Sequence, residues 1–118
     1  MDDQSTDRER SRLVEKIRRI HRGIIFVHAK WSGGSVWALP RFKEFITNRS
    51  IPNEHVLYLD ADDEELAAVP EFYGKMHGWG EVAVILGGQI VFLTNLGDIK
   101  EQFEQRCAQV MDVYDATK

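Results

Sequence analysis

The segment Ser32-Gly33-Gly34-Ser35 carries the residues best placed for chemistry in this chain. It follows the apolar run Ile24-Ile25-Phe26-Val27-His28-Ala29 and opens a stretch in which Val36, Leu39, Phe42, Phe45 and Ile46 recur at helical spacing. Small residues at a helix start leave backbone N–H groups open, and the helix dipole favours negative charge there. A carboxylate, a phosphate or a peptide carbonyl is the ligand chemistry such a position accepts. The same position also suits a plainer task, in which Ser32 or Ser35 caps the helix and contributes about 1 kcal/mol. The two readings are compatible. The segment is not a phosphate loop, because no Lys-Ser or Lys-Thr pair follows the glycines at the required spacing.

Nucleophilic and metal chemistry find little support in the remaining residues. His28 stands four positions before Ser32, and in an extended strand that separation is roughly 13 Å, too far for a hydrogen bond unless the chain turns sharply. Ser32 is not in a Gly-x-Ser-x-Gly elbow, and His21, His55 and His77 lack metal-ligand spacing. Hydrolase chemistry is therefore not expected, and no metal or cofactor is implied. The lone cysteine, Cys107, excludes an intrachain disulfide and leaves no second thiol to resolve a mixed one. It reads as a small apolar residue on the inward face of the last helix. The acidic run Asp60-Ala61-Asp62-Asp63-Glu64-Glu65 reads as a solvated loop and the first turn of a helix.

The elements that position these residues alternate between helix and strand. Residues 1–7 are polar and expected to fray. From about Asp7 to His21, Leu13, Ile17 and Ile20 with Val14 beside them form one face of an amphipathic helix, which Gly23 is expected to end. The run Ile24 to Ala29 is that of a strand covered on both faces. In the helix that follows, Pro40 removes a backbone donor and predicts a kink between Val36 and Pro40. A second strand covers His55 to Leu59, ending at Asp60. A short helix from about Asp63 to Tyr73 would turn Leu66, Val69, Phe72 and Tyr73 inward, with Pro70 cutting its regular part short. Glu81 to Leu86 and Gln89 to Leu93 flank Gly87-Gly88, a two-residue turn suited to positive φ, which predicts an antiparallel hairpin. A last helix, from about Asp98 to Tyr114, would present Ile99, Phe103, Cys107, Val110 and Tyr114 on one face.

Right-handed crossovers make the first two strands parallel neighbours, and the hairpin adds an antiparallel pair. The expected architecture is a three-layer α/β sandwich, a mixed four-stranded sheet with helices on both faces, in a single domain spanning residues 1–118. This order resembles the thioredoxin-like superfamily over about residues 10–115, without the common extra first strand. The markers are Ala29-Lys30-Trp31 before the turn, Pro40 eight residues after Ser32, Leu59-Asp60 closing the next strand, and the Gly-Gly hairpin.

Against that resemblance, three pieces of the redox apparatus are missing. Ser32 and Ser35 stand at the two positions of a Cys-x-x-Cys motif, and a serine hydroxyl has neither the acidity nor the polarisable nucleophilicity that disulfide exchange requires. Phe26 occupies the strand position where thioredoxins keep a buried acid, and Trp79-Gly80-Glu81 falls where the family places a cis-proline segment. The resemblance thus implies a redox-inactive member that works by binding.

Trp31, Trp37 and Trp79 would gather at the rim of the former active site, where exposed aromatics serve as anchors for a protein or peptide. The candidate binding residues are Trp31, Ser32, Gly33, Gly34, Ser35, Trp79 and Gly80, with no catalytic residue assigned. A runner-up resembles the glutathione transferases, with Ser32 stabilising a thiolate; the helical second domain and cis-proline of that family are not evident.

Composition narrows the partners. The 118 residues with 43% hydrophobic content suit one core, and a net charge of −4 speaks against general nucleic-acid binding. No stretch has the roughly 18 apolar residues of a membrane span, and Met1-Asp2-Asp3-Gln4 lacks an apolar signal region, so a cytoplasmic location is expected. The arginines of the first helix, among them Arg12, Arg18 and Arg19, form a polar face that allows self-association as a homo-oligomer.

Overall fold

Alternating side chains of the central strands reach two separate cores, which is why these strands read as unbroken apolar runs. The computed structural model describes residues 12–72, 75 and 77–116. Helix α1 occupies residues 12–18 and is followed by strand β1 (Arg22–His28), helix α2 (Gly33–Asn48) and strand β2 (Val56–Asp60). The hairpin of β3 (Glu81–Leu86) and β4 (Gln89–Asn95) leads to helix α3 (Phe103–Asp115). The sheet order is β2-β1-β3-β4, with β1 and β2 parallel and the other two pairs antiparallel. This is the mixed four-stranded sheet expected from the sequence.

On one face Ile24, Phe26, Val82 and Val84 pack with Ala38, Phe42 and Ile46 of α2 and Cys107, Val110 and Tyr114 of α3. On the other, Ile25, Val27, Ala83 and Ile85 meet Leu13 and Ile17 of α1 together with Leu66, Val69 and Phe72. A buried aliphatic or aromatic side chain contributes about 1.5–3 kcal/mol, so these two layers are the main source of cohesion. Gly87 and Gly88 both adopt positive φ, 58° and 78°, as a tight two-residue turn between twisted strands requires. The turn also fastens α1, because Gly87 and Gly88 donate to the carbonyls of His21 and Ile20.

Several boundaries differ from expectation. Gly23 does not end α1; it lies inside β1, paired with Ile85, and a side chain there would come within 2.8 Å of Ile20 Cγ2. Close backbone approach, not a helix cap, requires this glycine. The expected fraying of residues 1–7 and the start of the first helix lie outside the described residues.

The helix expected over Asp63 to Tyr73 is two 3₁₀ turns, Glu64–Ala68 and Pro70–Phe72. Val69, which precedes Pro70, is held extended at φ −103°, ψ 104°, as the proline ring demands. Leu66, Val69 and Phe72 are nonetheless buried, and Tyr73 lies outside the described residues. The last helix begins later than expected, after a 3₁₀ turn at Lys100–Gln102, and Ile99 is exposed instead of inward. Helix α2 runs its 16 residues through Pro40; the Arg41 guanidinium donates to the Trp37 carbonyl at 2.7 Å, in the turn where the proline supplies no N–H.

Candidate functional site

The two serines of the opening turn have different fates. Ser32 is the N-cap residue of α2, extended at φ −114°, ψ 126°, and its carbonyl accepts from the Val36 N–H at 3.0 Å. Its hydroxyl makes no capping hydrogen bond. Ser35, one turn further, is fully buried, with its Oγ accepting from the Ala29 N–H at 2.9 Å and lying 2.8 Å from His28 Nδ1. Neither side chain caps the helix, contrary to expectation, because Ser35 points back at the end of β1 and Ser32 leaves its hydroxyl unused.

The His28–Ser35 contact is one that sequence reasoning missed, since it tested His28 only against Ser32. The reversal from strand to helix brings residues seven apart together. Ser35 Oγ accepts from the Ala29 N–H and keeps both a proton to give and a second lone pair, so the direction of its hydrogen bond with Nδ1 is set by the imidazole tautomer. Burial makes this serine a tie between β1 and α2, and closes it to an incoming substrate.

The tryptophans at 31 and 79 are brought together over glycine backbone. Trp31 is 62% exposed, its Nε1 donates to Asp62 Oδ1 at 3.2 Å, and its ring lies so close to Gly78 that a Cβ there would sit 2.6 Å from Cη2. Trp79, 39% exposed, lies on Gly34 in the same manner, where a Cβ would sit 2.6 Å from Cε3. Gly33 is exposed and Ser32 half-buried between them. Gly34, Ser35 and Gly80 are buried, so they shape the floor and do not contact solvent. Trp37 does not join the rim as expected; it packs edge-on against Phe103 at 5.5 Å, with the Arg41 guanidinium 4.3 Å from its ring centre.

Beneath Trp79 lies a residue absent from the expected site. Glu81 is 2% exposed, and its carboxylate accepts from the N–H groups of Gly78 at 3.3 Å and Trp79 at 3.1 Å. Burial pushes this carboxyl above the usual carboxylate range, while those two backbone hydrogen bonds and nearby His77 pull it part of the way back. The one sequence signal for it is an acid opening an otherwise apolar strand directly after Trp-Gly. The carbonyls of Trp79 and Gly80 are engaged as well, accepting from Gly97 at 2.8 Å and Leu96 at 3.1 Å. Gly80 takes φ 77°, a conformation suited to glycine, and a Cβ there would sit 3.1 Å from the Phe26 ring. Phe26 fills, without exposure, the space between Gly80 and Phe42.

Among the described residues no group of His, Cys, Asp and Glu is arranged to hold a metal ion, and no helix is long and apolar enough to cross a membrane. Cys107 is buried as expected, and burial pushes its thiol up to about 12.

The sequence matches no protein-family model and no curated protein. Solved structures are similar in shape. Thioredoxin f2 of Chlamydomonas reinhardtii superposes with a TM-score of 0.60 at 7% identity, covering 85% of this chain and 90% of that one. Mitochondrial thioredoxin 3 of Saccharomyces cerevisiae, in its oxidised form, gives 0.55 at 14% identity over 84% and 88%. A protein described as a putative oxidoreductase with a thioredoxin fold gives 0.57 at 17% identity over 83% and 87%. Together with the sheet order and the two helical layers, this likeness defines the architecture as a thioredoxin fold. The chain is a thioredoxin-like module in that structural sense.

Proposed function

We propose that this chain is a redox-inactive thioredoxin-fold module that binds a protein or peptide segment through the face formed by Trp31, Ser32, Gly33 and Trp79. The observation that carries the reading is the pair of exposed indoles, Trp79 resting on Gly34 at the start of α2 and Trp31 on Gly78 in the loop before β3. Rigid aromatic side chains lose little freedom on binding and present large apolar area, which suits them as anchors. Hydroxyls at positions 32 and 35, a phenylalanine at 26 and a glycine at 80 supply none of the groups that disulfide exchange uses.

The manner of binding follows from the backbone accounting. The N–H groups of Gly78 and Trp79 and the carbonyls of Trp79 and Gly80 are already bonded within the chain. A partner is therefore gripped by side chains at this face, with the open hydroxyl of Ser32 and the helix start as its polar end. The same accounting removes the backbone hold that a glutathione-linked reading would require at residues 79–80.

The test is a titration of extended peptides carrying an apolar anchor, read by tryptophan fluorescence and by calorimetry. Trp31→Ala with Trp79→Ala should weaken binding by roughly thirtyfold or more, the scale of a hot-spot pair, with the melting temperature little changed. Equal affinity in the double variant would remove this face from the function.

A further inference from the structure

Strand β2 is an outer strand of the sheet, and its unpaired backbone groups match those of a second copy of itself. The Ala61 N–H donates to the His28 carbonyl, and β2 runs parallel to β1 with His28 beside Asp60. This parity turns the backbone groups of residues 57 and 59 towards β1 and those of residues 56, 58 and 60 outwards. Two of the outward groups are spent locally: the Val56 N–H donates to Asn53 O, and Asp60 O accepts from the Asp63 N–H. Among the described residues four have no partner on the edge, namely the carbonyls of Val56 and Tyr58 and the N–H groups of Tyr58 and Asp60.

We propose that two copies of this chain associate by antiparallel pairing of their β2 edges about a two-fold axis at Tyr58, giving one continuous sheet across the dimer. In that register each Tyr58 N–H meets the Tyr58 carbonyl of the other copy, and each Asp60 N–H meets the other copy's Val56 carbonyl. All four open groups on each edge are used. The further bonds that a longer ladder would form, from Val56 N–H to Asp60 O, are those whose two ends are already occupied within each chain.

The side chains agree with the register. Tyr58, 42% exposed although its ring lies 6.3 Å from those of Phe26 and Phe42, meets its own copy across the axis. Leu57 meets Leu59 on the opposite face, so apolar residues lie against each other. Asp60 arrives opposite Val56, which keeps the two carboxylates apart. The Lys43 ammonium, 5.4 Å from the Tyr58 ring centre, places positive charge on the face where that carboxylate arrives. An exposed strand edge is a ready template for such pairing. The N-terminal segment of the chain, residues 1–11, is a poor rival occupant, because its sequence lacks the alternating apolar, β-branched or aromatic pattern of a strand.

The experiment combines sedimentation equilibrium with residue-resolved amide exchange on the full chain, up to roughly 1 mM protein, the weak limit of specific association. The wild type should dimerise, and the Tyr58 and Asp60 amides should slow as dimer forms while Val56 stays constant. Tyr58→Lys and Tyr58→Glu should each be monomeric, because the axis sets like charges against each other, and an equimolar mixture should recover a heterodimer. A wild type that stays monomeric overturns the proposal, as does a dimer whose Tyr58 and Asp60 amides exchange freely. A mixture that stays monomeric, with both variants folded by circular dichroism, places Tyr58 away from the axis and overturns it too. Should either variant fail to fold, the wild-type exchange pattern alone decides.

Discussion

Ser32 and Ser35 look interchangeable in the sequence and are not so in the structure. Ser35→Ala leaves the buried Ala29 N–H without its acceptor and His28 without its partner, so it should cost about 1–3 kcal/mol in urea unfolding. Ser32→Ala removes a half-exposed hydroxyl with no capping bond and should stay within about 0.5 kcal/mol. Equal costs would contradict the assignment of the buried tie to Ser35. Glu81 makes a separate prediction in pH. Its folded-state pKa lies above the ordinary value of 4.5, so the folded chain holds the proton more tightly than the unfolded chain does. This group's contribution is most favourable at low pH and declines as pH rises from the ordinary value through the raised one. Glu81→Gln should flatten that decline in stability measured across the acid range; an unchanged slope would assign it to other groups. Neither the serine distinction nor the glutamate was legible in the sequence. Both depend on a reversal of chain direction, at residues 29–35 and 78–81, that brings near neighbours into contact at spacings no strand or helix period contains.

At the scale of elements, legibility followed the length and purity of the period. The strands and the glycine hairpin were readable because central strands facing two cores must be apolar throughout, and because Gly87-Gly88 fits a turn with positive φ at both positions. Leu66, Val69 and Phe72 recur every third residue, a spacing that serves a 3₁₀ turn at three residues per turn as well as a short α-helix. Burial of these three was foreseeable, and the kind of turn was not. The resemblance to the thioredoxin-like superfamily puts Trp37 at the rim, whereas the rotation along α2 carries it round to Phe103. Pro40 is the element-scale weakness of α2: it is exposed, so it contributes little packing, and it supplies no N–H to the Val36 carbonyl. Pro40→Ala restores that donor and should stabilise the fold by about 0.5–2 kcal/mol, read as a higher urea midpoint with the same slope. A lower midpoint would show that the proline sets a bend on which α2 packing depends.

For the molecule as a whole, the proposed redox-inactive reading turns on whether residues around the two serines also lack the groups that disulfide exchange uses. Phe26, Gly80 and Ala38 form a closed apolar column behind the α2 start, with a Cβ at Gly80 reaching within 3.1 Å of the Phe26 ring. Among the described residues no buried acid belongs to that column; the buried carboxylate nearby, Glu81, lies on the other face of β3 and is spent on the N–H groups of Gly78 and Trp79. Ser32→Cys with Ser35→Cys therefore restores the sulfur pair without restoring proton transfer. A cysteine at 32 would lie at the helix start, where the dipole favours its thiolate, and should react readily with a thiol reagent; Cys107, buried with a thiol pushed up to about 12, should react only on unfolding. Insulin reduction by the double variant should nonetheless stay roughly a hundredfold or more below that of an ordinary thioredoxin, the scale that a positioned general acid or base contributes. Turnover at an ordinary rate would show that the apolar column sets no limit on disulfide exchange in this fold, and would remove it from the argument for the proposed redox-inactive reading.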